Sequence, residues 1–78
     1  MDRWEYCIVA HAPSGPLLIN VTYCTPQGAQ LVQHRADSYE DGVNRLWPQV
    51  LAEMGRAGWE LAAVDAGALY FKRELERG

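Results

Sequence analysis

The chain has 78 residues, 49% of them apolar, and seven lysines and arginines against ten aspartates and glutamates, a formal charge of −3. That length holds one hydrophobic core, so residues 1–78 are read as a single domain, and the apolar content excludes a disordered chain. Interspersed charge of net acidic sign argues against nucleic acid, and apolar runs of only four or five residues argue against a membrane span.

Met1-Asp2-Arg3-Trp4 lacks the basic, then apolar, then small-residue order of a signal peptide, so the expected location is the cytoplasm. There the two cysteines, Cys7 and Cys24, are expected as reduced thiols rather than a disulfide. Trp4–Ala12 (WEYCIVAHA) is dense in aromatic and β-branched residues and reads as a strand, stopped by Pro13-Ser14-Gly15-Pro16. Leu17–Thr25 reads as a second strand, closed by Pro26-Gln27-Gly28. Gln30–Ala36 alternates weakly and reads as a third, at an edge of the sheet.

The period then changes. Tyr39, Val43, Leu46, Trp47, Val50, Leu51 and Met54 recur at the three- and four-residue spacings of one helix face. Ser38 followed by Asp41 resembles a capping box, with Asp in place of Glu. Pro48 interrupts the pattern: inside a helix it leaves the Asn44 carbonyl without its donor and clashes with it. The sequence therefore predicts either a kink at Trp47-Pro48 or two helical pieces.

Gly58 falls where the helical period ends, the place for a left-handed residue, and Gly55 is expected to let the helix approach the sheet closely. Trp59–Val64 and Leu69–Leu75 read as closing strands around an Asp65-Ala66-Gly67 turn. The fold class that results is α+β: a single antiparallel sheet of four to five strands in the order β-β-β-α-β-β, with one kinked or broken helix on one face.

Trp4-Glu5-Tyr6, Gly55-x-x-Gly58-Trp59-Glu60-Leu61 and Phe71-Lys72-Arg73 together resemble a family of small bacterial and phage proteins known as a domain of unknown function. The resemblance covers about half the chain. It implies a sheet-and-helix α+β fold and assigns no catalytic or binding residues.

Chemistry-bearing side chains are few and scattered. Cys7 and His11 lie roughly 13 Å apart on an extended strand, at about 3.3 Å per residue, too far to share a tetrahedral zinc. No Cys-x-x-Cys, phosphate-binding glycine loop or nucleophile elbow occurs. His34 and Asp37 are not placed beside Cys24 as a base would have to be. The expectation is no metal, no cofactor and no catalysis.

The strand Tyr6-Cys7-Ile8-Val9-Ala10 carries apolar residues on both faces, whereas a single helix covers one face of a sheet. Cys7 and Val9, with Leu18, Ala62 and Val64, are assigned to the uncovered side as an interaction surface. Its expected occupant is a second copy, giving a homodimer through the open sheet face or a sheet edge, with a protein partner beyond that. The predicted function is a non-catalytic, self-associating interaction module. The alternative is a binder of small molecules or peptides, in a helix–sheet cleft lined by Trp4, Tyr6, Trp47, Trp59 and Tyr70.

Overall fold

A computed structural model describes residues 3–75 of the chain. Three strands come first: β1 (Trp4–Ala12), β2 (Gly15–Thr25) and β3 (Gly28–Arg35). A helical segment, α1, spans residues 39–56, and β4 (Glu60–Asp65) and β5 (Ala68–Glu74) follow. The five strands form one antiparallel sheet in the order β3-β2-β1-β5-β4. The first strand is thus central, and the last strand inserts between it and β4.

The strands begin and end where turn chemistry dictates. Gly15 and Gly28 open β2 and β3 with φ of 114° and 117°, in the region that favours glycine. At Gly15 the ring of Tyr39 occupies the place of a side chain, 2.6 Å from where a Cβ would stand. The sequence placed the start of β2 at Leu17. The strand starts earlier because Gly15 pairs with Ala12 across a shift in register.

The helix starts as its sequence predicts. Ser38 is extended, and its Oγ accepts the Asp41 N–H at 3.0 Å. The reciprocal half of the capping box is displaced by one residue, because the Asp41 carboxylate accepts the Asp37 N–H at 3.1 Å. Pro48 is accommodated as the two-piece expectation has it, in the first turn of the last helical stretch, Trp47–Arg56, although the helical path continues without a gap. Gly42–Leu46 form one π-helical turn, in which the Trp47 N–H reaches back to the Gly42 carbonyl. That wider turn leads directly into Pro48 at the start of the last ten residues, where a missing N–H costs little.

The helix ends in a Schellman motif. Trp59 N–H donates to the Met54 carbonyl and Gly58 N–H to the Gly55 carbonyl, each at 3.0 Å, with Gly58 at φ 90°. Gly55 does not serve the close approach expected of it, since nothing lies within 4 Å of a Cβ there. Gly42 does: an added Cβ would stand 2.3 Å from the Pro16 carbonyl oxygen. The helix therefore touches the sheet backbone at its first turns.

One face of the sheet makes the core. Cys7 and Val9 of β1, Ile19 and Val21 of β2 and Phe71 of β5 pack against Leu46, Val50 and Met54 of the helix, and Trp59 closes one end. Each side chain of this size contributes about 1.5–3 kcal/mol on burial, which makes the cluster the main source of stability in so small a chain. No helix among the described residues is long and apolar enough to cross a membrane.

Candidate functional site

Alternation along a strand decides what the second face carries. Residues directly opposite one another in an antiparallel pair share a face. Tyr6 lies opposite Cys24 and Lys72, and Ile8 opposite Thr22 and Tyr70. Leu31 of β3 lies opposite Thr22, and Leu18 opposite Arg35. These residues, with Trp4 and Ala10, form the face turned away from the helix. Tyr6 is 53% exposed and Leu31 59%, against 0% for both Cys7 and Val9.

Sequence parity had divided β1 correctly into two sets but assigned them to the wrong sides. Cys7 and Val9, expected on the open face, lie in the core beneath the helix. There they pack with Ile19, Val21 and Phe71 against Leu46, Val50 and Met54. Leu18 is on the open face as expected and half-buried. Val64 lies opposite Leu69 on the helix side, yet is exposed. Ala62 sits in a break in the β4 register, between Leu61 and Ala63, and is also exposed.

The aromatic cleft does not assemble. Trp4, Tyr6 and Tyr70 belong to the open face, while Trp59 is buried on the other and Trp47 is half-buried there, its ring edge-on to His11 at 5.6 Å. The sheet itself separates the two groups. Aromatic residues on neighbouring strands converge on a cleft only when their parity matches, and here it does not.

On the open face Lys72 Nζ stands 4.5 Å from the centre of the Trp4 ring, a cation–π contact. Glu60 lies opposite Lys72, and Glu74 opposite Trp4. Charge there is mixed, without the cationic track that a phosphate backbone needs. Asn20 and Gln33 join across β2 and β3, the Gln33 amide donating to Asn20 Oδ1 at 2.9 Å.

The two edges differ. β3 pairs with β2 without interruption from Gly28 to Arg35. Ala36 N–H donates to the Leu17 carbonyl at 2.8 Å, which fixes the alternation of bonded pairs along this ladder. Val32 and His34 accordingly bond inward to β2, and Ala29, Leu31, Gln33 and Arg35 direct their N–H and C=O groups outward. At the other edge β4 is shorter and its ladder is broken at Ala62.

Across the sheet from the open face, Arg73 ties three segments together. Its guanidinium donates to the Glu5 carboxylate and, at 2.8 Å, to the Ala57 carbonyl, and it stacks over the Trp59 ring at 4.3 Å. Glu5, Trp59 and Arg73 come one each from the Trp-Glu-Tyr, Gly-Trp-Glu-Leu and Phe-Lys-Arg segments singled out in the sequence. Those motifs mark the join of first strand, helix end and last strand, a structural role.

The thiols point to opposite faces, and both are free. Burial pushes the Cys7 thiol up to about 11, with the negative charge that Cys24 would carry adding and Arg73 opposing. A thiol so held is protonated and inert at neutral pH. Among the described residues no three of His, Cys, Asp and Glu gather closely enough to hold a metal ion. His11 and His34 share a side but flank Ile19 from opposite strands, roughly 10 Å apart at about 4.8 Å per strand. No protein-family model, curated protein or solved structure matches the chain. The open face and the β3 edge are the candidate surfaces; the sequence places Gln30–Ala36 at an edge, and the structure adds which of its backbone groups face outward.

Proposed function

We propose that the chain is a non-catalytic, cytoplasmic interaction module that self-associates through its sheet and offers that sheet to a partner protein. One observation carries this reading. The helix covers one face of a five-stranded sheet, and the other face presents Trp4, Tyr6, Ile8, Leu31 and Tyr70 with no layer of the described residues over it. An aromatic and aliphatic patch bounded by mixed charges is the composition of a protein contact.

A small-molecule cleft has less support, because its five aromatic residues fall on opposite sides of the sheet. Catalysis has little, because the buried thiol is held protonated. The resemblance to the bacterial and phage family belongs to the same reading and concerns the fold.

Absolute mass by light scattering, over a wide range of protein concentration, tests it. The expected result is a mass of two chains that persists on dilution. A single-chain mass at every concentration overturns self-association.

A further inference from the structure

Two strands of this sheet have a side with no neighbour among the described residues, and proteins ordinarily protect such edges with bulges, prolines, inward charges or short strands. β4 is protected. Its ladder is broken at Ala62, it spans only Glu60–Asp65, and its ends are acidic. Laid antiparallel against itself over its full length, it would set Glu60 against Asp65 of the other copy, a like-charge pair that opposes association.

β3 has none of these devices. It runs Gly28–Arg35 as a continuous ladder with no proline, lysine or acidic residue, and its exposed side chains include Leu31 and Val32. Its outward groups belong to Ala29, Leu31, Gln33 and Arg35, as the bonding alternation requires.

We infer that β3 is the seam between two copies of the chain, paired antiparallel about a two-fold axis at Val32. This rests on the self-association proposed above and specifies its site. In that register Leu31 faces Gln33 of the second copy and Ala29 faces Arg35, so every outward N–H and C=O of the strand meets a complementary group. Val32 meets its own counterpart on the helix side, where it is 42% exposed. The two Arg35 side chains are kept roughly 20 Å apart by six residues at about 3.3 Å each, so no like charges meet. A strand whose only charged groups are cationic and lie at one end is self-compatible when antiparallel, which is the reason to choose a second copy as the occupant. The product is one continuous sheet with both helices on one side. Its undivided open face is then left for the partner protein.

Amide hydrogen exchange, measured residue by residue on the intact chain beside its mass, tests the seam. Val32 N–H bonds within the chain and exchanges slowly in every case. Leu31 and Gln33 N–H are bonded only across the seam, so in a two-chain species they exchange on the order of a hundredfold more slowly than in a free edge. A mass of two chains with fast Leu31 and Gln33 amides overturns the seam and leaves self-association through another part of the sheet. A single-chain mass at every concentration overturns both. Gln33→Pro deletes one outward donor at a position where an edge strand tolerates proline, and Gln33→Ala keeps it. Loss of the dimer in the first and retention in the second supports the seam, and dimers of equal affinity in both overturn it. Should Gln33→Pro fail to fold by circular dichroism, the exchange rates of the unaltered chain decide.

Discussion

Tyr6 and Cys7 are neighbours in sequence and opposites in environment. One lies half in solvent on the open face, and the other has no exposed surface beneath the helix. The same contrast runs along β1 and across β2 and β5, so that each strand has a face the helix uses and a face it does not. Apolar character alone therefore does not decide burial in this chain. Position relative to the helix does: Cys7 and Val9, with Ile19, Val21 and Phe71, lie on the face that Leu46, Val50 and Met54 cover, and the helix backbone comes down to the Pro16 carbonyl at Gly42.

The largest expected break in that contrast comes from placing a charge on each face in turn. Val9→Glu buries a carboxylate with no partner, at a cost of several kcal/mol, comparable to the whole stability of a domain this small. It should abolish the folded circular dichroism spectrum at 25 °C. Tyr6→Glu should change stability by less than about 1 kcal/mol. Equal losses in urea unfolding would show that the two faces do not differ.

Next in size is the approach of helix to sheet. Gly42→Ala drives a Cβ into the Pro16 backbone, which cannot move without shifting β2, and should cost about 1–3 kcal/mol. Gly55→Ala meets empty space in the last helical turn and should stabilise by about 0.5–1 kcal/mol. Thermal midpoints that move in the same direction for both would refute the close approach.

The smallest effect is on the thiols. Native Cys24 should be alkylated promptly and Cys7 only at the rate of unfolding. Because burial raises the Cys7 value in the folded chain, the unfolded chain loses that proton first. The stabilisation is complete below about pH 8.5, the ordinary cysteine value, and declines as pH rises towards 11. Cys7→Ala should be less stable at neutral pH but lose this part of the alkaline slope, measured by urea titration at each pH.

The strands, their gathering into one antiparallel sheet and the helix ends were legible because they are written in local chemistry, while the place of β5 between β1 and β4 was not. Trp4–Ala12 matches β1 at both bounds, Ser38 caps, and Gly58 takes its left-handed place. Which face of β1 the helix would choose was not legible, since Tyr6-Ile8-Ala10 and Cys7-Val9 are both apolar. Pro48 was legible as a disturbance, but not the π turn that absorbs it, because that geometry depends on where the Trp47 N–H can find a carbonyl. Nor could spacing reveal the shift at Ala62, which moves Ala63 opposite Tyr70 and so to the open face. Gln30–Ala36 was legible as an edge strand, but which of its groups β2 leaves free is a matter of register and not of residue type.

The position of β5 has a consequence for how the chain is assembled. β1 finds its first partner in β2, immediately after it in the chain. Its second comes only when Phe71 and Leu69 arrive beside Cys7 and Val9. β4 pairs with nothing but β5 and has no ladder until that strand is in place. Pairings between distant residues carry the largest loop-closure cost and form late. A ribosome that has released everything up to Gly67 therefore holds a three-stranded meander and a helix, waiting for seven residues to complete the sheet.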